Sequence, residues 1–133
     1  DYKNIQDFHN ILEYSYYEQC IQEITTIKDN LLFIYFYEEE DSEHVNRIIT
    51  NLKQKFKNKF ISINTDITDW EQLLCMSCCN HNIIANSSFS WWGAYFNKNT
   101  EKKIYYPSQW FGKKLSYHNT NTLCPDTWIK IDC

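Results

Sequence analysis

Residues 86–96 read NSSFSWWGAYF: an asparagine and three serines, then two adjacent tryptophans and one of only two glycines in the chain. Amide and hydroxyl groups are uncharged hydrogen-bond donors. If the segment opens a helix, they add to the unpaired backbone N–H groups and positive dipole end found at every helix start. That combination suits the binding of a phosphate or diphosphate. Asn86, Ser87, Ser88, Phe89 and Ser90 are therefore the candidate binding residues. A serine that does no more than cap the helix is the competing reading, and residue types alone leave both open. No lysine or arginine occurs from Asn82 to Asn97, so a diphosphate here needs a cation, best an arginine, from elsewhere.

The second candidate is acidic. Glu38, Glu39, Glu40, Asp41 and Glu43 follow the apolar run LLFIYFY at 31–37. If that run is a strand parallel to one at 81–85, the acids share a sheet edge with the serine-rich turn. A carboxylate there can accept from N1–H and N2–H of guanine, a pairing adenine does not offer. Glu38 and Glu39 are the two assigned to a ligand, the other acids being a solvated helix start.

Other constellations read as structure. Cys75, Cys78 and Cys79 form C-x-x-C-C, but structural zinc needs four ligands and no second cluster follows; core packing in a helix accounts for them. Asn86-Ser87-Ser88 matches a glycosylation sequon, yet a turn packed at a strand end is a poor acceptor. Cys79 and His81 could pair as nucleophile and base, but their helix-to-strand junction points to the core. No catalytic residue and no metal ligand is assigned.

The elements that must position these groups follow from periodicity. A helix is expected around 10–27, a doubly covered strand at 31–37, and a helix at 42–57 with Val45, Ile48, Ile49, Leu52 and Phe56 at helical spacing. Its lysines, Lys53, Lys55, Lys57 and Lys59, lie at the C-terminal end that the dipole favours for cations. KFISIN at 59–64 reads as a second strand, and Thr68–Glu71 as a capping box. The helix it opens carries Trp70, Leu73, Leu74, Ser77 and Cys78 on one face. HNIIA at 81–85 and KKIYYP at 102–107 read as the third and fourth strands. Between them, Phe89, Trp92, Gly93 and Phe96 form the expected core stripe, with Trp91 and Tyr95 half-exposed. The tail after 108 is expected to be irregular and pinned by Trp110, Phe111, Pro125 and Trp128. Strands alternating with helices imply an α/β fold, a three-layer domain around a parallel sheet.

Composition sets the outer limits. The 133 residues suffice for one domain and are few for a complete two-substrate site. A net charge of -4 argues against a nucleic-acid partner. Aromatics at 17 % with two glycines and two prolines argue for an ordinary globule. No signal peptide, membrane-length apolar run or lipidation motif occurs, and the first residue is Asp1, so any targeting signal or anchor would lie upstream.

CNHNIIANSSFSWWGAYF at 79–96, KIYYPSQWF at 103–111 and CPDTWIKI at 124–131 resemble the C-terminal part of the GDP-fucose-dependent α-1,2-fucosyltransferases, glycosyltransferase family 11. YYEQCIQEI at 16–24 extends the resemblance over most of the chain. The resemblance implies a GT-B-type fold whose Rossmann-like C-terminal domain binds the nucleotide sugar. It implies inverting transfer of L-fucose from GDP-β-L-fucose to a galactose 2-hydroxyl without an essential metal or other cofactor. GDP-fucose and a glycan acceptor are the implied partners, and any membrane association would come from segments outside these residues. Asn86, Ser87, Ser88, Phe89 and Ser90 match the donor-site motif. Glu38 and Glu39 fall where the family often has S-D-D, with Tyr37 at the serine position, and Gln72 stands where an aspartate is usual. Asp1-Tyr2 resembles the end of the family's H-x-R-R-G-D-Y motif, whose arginine would hold the pyrophosphate. The chain is thus expected to be one donor-binding domain, residues 1–133, of a longer enzyme, a fragment lacking the upstream H-x-R-R-G motif and the N-terminal acceptor-side region, and inactive alone. The alternatives are a non-catalytic module of the same descent, or a related transferase with another acceptor or GDP-sugar.

Overall fold

The computed structural model describes residues 7–63 and 67–133. Asp1-Tyr2 and position 64, the expected end of the second strand, lie outside the described residues. The elements are α1 (Tyr14–Ile27), β1 (Leu32–Tyr35), α2 (Ser42–Lys55), β2 (Lys59–Ser62), α3 (Asp69–Ser77), β3 (Asn82–Ile83), α4 (Ser88–Tyr95), β4 (Ile104–Pro107) and β5 (Ile129–Ile131). All strand pairings are parallel, as strand–helix alternation requires.

Helix positions follow the sequence cues. In α2, Ile48, Ile49 and Leu52 are buried at helical spacing, Glu43 lies in the first turn and Lys53 and Lys55 in the last. Lys55 Nζ reaches Glu18 Oε1 at 2.8 Å and ties α2 to α1. At the start of α3, Glu71 Oε2 accepts from the Thr68 backbone N–H at 2.8 Å and from its hydroxyl at 2.7 Å, and the Thr68 side chain accepts in turn from the Glu71 backbone N–H, which completes the expected capping box.

Side chains alternate across the sheet and create the layers. On β4, Ile104 joins Ile84, Ala94, Trp110, Cys124 and Trp128 on the α4 side. Its neighbour Tyr105 joins Leu12, Tyr16, Cys20, Ile24 and Ile131 on the α1 side. Ile21, Ile48, Ile49, Leu52 and Phe60 continue that side beneath α2. Each buried aliphatic side chain contributes about 1.5–3 kcal/mol relative to exposure.

The fold is the expected α/β arrangement, with four differences in detail. First, the strands form two ladders, β1 with β2 and β3-β4-β5. Phe33 of β1 and Ile83 of β3 pack on the same two clusters, so the ladders adjoin there through side chains. With β1 set beside β3 by these side-chain contacts, β2 follows on one side and β4 and β5 on the other, so chain progression reverses between β1 and β3.

Second, the tail is not wholly irregular. Ile129–Ile131 forms β5, paired in parallel with Tyr105–Pro107. Three residues are too few for a periodicity to show.

Third, the expected α4 stripe is rotated by one residue. Ala94 and Asn97 are buried and Ser90 and Trp91 half-buried, whereas Trp92 is 47 % and Phe96 44 % exposed. Only Gly93 of that stripe is buried. A Cβ at Gly93 would sit 2.9 Å from both Cβ and Sδ of Met76, so glycine is what lets α4 approach α3. Trp91 tilts against Trp128, and its Nε1–H donates to the Leu123 carbonyl at 3.0 Å. The helix is apolar on nearly every side, so no polar face marks which way is out.

Fourth, the face of α3 bearing Trp70 and Leu74 points outward, Trp70 being 65 % exposed. Met76 is the residue α3 buries.

Candidate functional site

A cavity of about 380 Å³ opens at the carboxyl ends of β1 and β3. This is where strand order reverses, and ligands of open α/β sheets bind at such points. Tyr37 and Glu38 line it from the β1 side, and Asn86, Ser87, Phe89 and Ser90 from the β3 side. The two sequence segments singled out for ligand chemistry thus share one cavity. Ser88 and Glu39 are exposed and are not among its lining residues.

The β3–α4 turn is heavily braced. Asn86, only 3 % exposed, donates from Nδ2 to the Asn10 carbonyl at 3.0 Å and the Trp110 carbonyl at 3.1 Å. Asn10 Nδ2 in turn reaches Gln109 Oε1 at 2.9 Å and the Phe111 carbonyl at 3.2 Å. Behind the turn, the Tyr16 hydroxyl donates to the Ile84 carbonyl at 2.6 Å. Ser90 Oγ donates back to the Ala85 and Ser87 carbonyls at 3.2 and 3.1 Å. These groups hold the backbone in place.

Ser87 differs from them. It is the N-cap of α4, yet its side chain makes no cap hydrogen bond. The first helical bond runs from Trp91 N–H to the Ser87 carbonyl at 3.0 Å. The N–H groups of Ser88, Phe89 and Ser90 precede it and have no acceptor within the helix. The capping alternative therefore does not describe this serine, which is one of the residues lining the cavity.

Other cavity residues were not assigned from sequence. Gln72 and Met76, one turn apart on α3, line it; Gln72 had stood out only as a departure from a family pattern. His44 of α2 also lines it. Its Nδ1 is 3.1 Å from Arg47 Nη2 and its Nε2 3.3 Å from the Leu12 carbonyl. A guanidinium has only donors, so Nδ1 accepts and Nε2–H donates to Leu12. Burial, then Cys20 and Asp41, pushes the phenol of the lining residue Tyr17 well up. Nothing local in the sequence marks these residues, because α1, α2 and α3 meet only in the folded chain.

No lysine or arginine lines the cavity among the described residues. Arg47, the only arginine in the chain, stops at His44. The expected core packing of Cys75, Cys78 and Cys79 is not found: Cys78, just past the end of α3, is exposed and Cys75 and Cys79 are half-buried, because α3 turns Met76 to the interior instead. Cys79 Sγ donates to the Cys75 carbonyl at 3.4 Å, and burial raises its thiol pKa. His81 Nδ1 accepts the Lys103 N–H at 3.0 Å. No group of three or more His, Cys, Asp or Glu among the described residues could hold a metal ion.

The chain is 29 % identical over 126 residues to the O-antigen biosynthesis glycosyltransferase WbnK of Escherichia coli, covering 93 % of this chain and 38 % of that protein. It is 30 % identical over 126 residues to an alpha-1,2-colitosyltransferase of Escherichia coli, covering 93 % of this chain and 41 % of that protein. The chain thus spans about two fifths of the length of these curated relatives. No solved structure matches it. The family model described as Glycosyl transferase family 11 matches residues 1–131, and the chain belongs to that family.

Proposed function

We propose that this chain is the donor-binding part of a glycosyltransferase that moves L-fucose from GDP-β-L-fucose to the 2-hydroxyl of a galactose-containing glycan, with inversion. The observation that carries the proposal is the single cavity that unites Glu38 with the Ser87–Ser90 turn. The diphosphate takes the Ser87 hydroxyl and the first-turn N–H groups of α4. The guanine edge takes Glu38, with Tyr37 and Phe89 as apolar walls. The acceptor oxygen attacks the anomeric carbon, a base removes its proton, and the bond to the diphosphate breaks. Charge grows on the departing GDP, where the helix start stabilises it. The missing cation comes from outside the described residues.

A second reading changes only the sugar. One relative is named for α-1,2 transfer of colitose, which supports the linkage and leaves the donor sugar open. Calorimetric titration of the full-length protein with GDP tests the donor site itself. Ser87→Ala is expected to weaken GDP about tenfold, and Ser116→Ala not at all. Equal affinity of both variants and the parent would overturn the assignment. Transfer assays with GDP-fucose and a GDP-colitose donor decide between the sugars.

A further inference from the structure

The sheet is interrupted at its centre. Among the described residues β1 pairs only with β2, and β3 only with β4, so the edges that β1 and β3 turn toward each other carry no strand pairing. The two strands also run less closely together than any paired strands of the sheet. The backbone groups on these edges can be named. The Ile63 N–H donates to the Tyr35 carbonyl at 3.2 Å, and the polar groups of successive strand residues point to opposite sides, so those of Ile34 point away from β2. The N–H groups of Asn82 and Ile84 donate to the Lys103 and Tyr105 carbonyls at 3.0 and 2.9 Å. Those of Ile83 therefore point away from β4. Backbone donors and acceptors thus line both sides of the gap, and inside a sheet such groups call for partners.

The handedness of the connections says which segment belongs there. α1 and α2 cover the same face of the sheet, tied by Lys55 to Glu18 and by Ile21 packed with Ile48, Ile49 and Leu52. The crossover from β1 through α2 to β2 steps away from β3. Crossovers between parallel strands of one sheet are almost always right-handed. A crossover that enters β1 through α1, on the same face, must therefore step in the same direction. It has to start from a strand on the other side of β1, in the gap beside β3. α3 and α4, packed together where Gly93 meets Met76, cover the opposite face. Their crossovers, β2 to β3 and β3 to β4, step the opposite way, as a single hand requires.

We infer that the gap between β1 and β3 receives a parallel strand from the segment that precedes α1 in the full-length protein, which becomes the central strand of one continuous sheet. Helices cover both faces there, so the strand is a run of apolar residues, rich in Val and Ile and without proline. Its carboxyl end comes out at the first cavity, which opens at the carboxyl ends of β1 and β3. The inference does not depend on what that cavity binds.

The test uses the full-length protein, isotope-labelled for NMR and without ligand. The Ile34 and Ile83 amide protons are expected to exchange at least about a hundredfold more slowly than in an unfolded chain. Each should show backbone NOEs to residues that precede α1, and none to the other. NOEs directly between the β1 and β3 backbones would mean that the two ladders close on each other, and overturn the inference. Exchange of both amides at the unfolded rate overturns it too, because the gap is then empty. Contacts to these amides from a second molecule, detected in a mixture of labelled and unlabelled protein, overturn it in favour of pairing between copies. NOEs from any other segment of the same chain assign the gap to that segment and overturn it as well.

Discussion

Two strand-to-helix connections meet at the first cavity, and they are built in opposite ways. The β3–α4 connection is bolted down: Asn86, Ser90 and Trp91 each use side-chain donors on backbone carbonyls, some distant in sequence. The β1–α2 connection runs through Glu38, Glu39 and Glu40, all exposed, and a short 3-10 turn at Glu39–Asp41 with no side-chain cap. A diphosphate binds backbone N–H groups, whose positions must already be fixed. A nucleobase edge needs only one well-placed acceptor. On the proposed donor reading, rigidity is concentrated where the diphosphate would meet main chain.

The largest expected effect comes from unbolting the rigid side. Asn86→Ala leaves the Asn10 and Trp110 carbonyls without their donor and should destabilise the fold by about 2–4 kcal/mol. Urea unfolding measures this, and a loss under about 0.5 kcal/mol would mean that Asn86 is not a brace. Gly93→Ala comes next. Its Cβ would meet Met76 at 2.9 Å, and overpacking of about 2–3 kcal/mol, less about 1 kcal/mol of helix propensity, leaves a net loss of about 1–2 kcal/mol. An unchanged or raised melting temperature would show that α3 yields at no cost.

The connections should also differ in ligand affinity. Ser87→Ala is expected to weaken GDP about tenfold and Glu38→Gln about threefold to fivefold. Ser88→Ala and Glu39→Gln, outside the cavity lining, should stay within about twofold. If Glu39→Gln weakens GDP more than Glu38→Gln, the β1 side has been assigned to the wrong carboxylate. The smallest effect lies far from either connection. Burial holds the His81 imidazole below its usual pKa of 6.5. The unfolded chain therefore takes up that proton first, and stability present above the ordinary imidazole range is lost as pH falls through about 6.5. Urea midpoints from pH 8 to 5 should fall less steeply for His81→Gln than for the parent; identical slopes would remove His81 from the account.

The legible parts of this chain are those with a local cause. The α2 dipole pattern, the Thr68–Glu71 cap and the parallel α/β order all follow from short-range rules, and all are present. The pairing of the acidic run with the serine-rich turn also followed, because parallel strands put their carboxyl ends on one edge. The orientation of α4 did not follow, since a helix apolar all round carries no directional signal and the choice was made by Trp128, Leu123 and Met76 from elsewhere. β5 was too short to read, and Gln72, His44 and Tyr17 reach the cavity only through tertiary packing.

The Asn86 side chain bridges residues 76 positions upstream and 24 positions downstream. Such a knot is entropically slow to close, because most of the chain must be ordered before it rewards closure. During vectorial synthesis the strands and helices of residues 14–95 emerge before Trp110 does, so the cleft acquires its final shape late. A ribosome-bound nascent chain stopped short of residue 110 would carry most of the fold and an unfinished cavity.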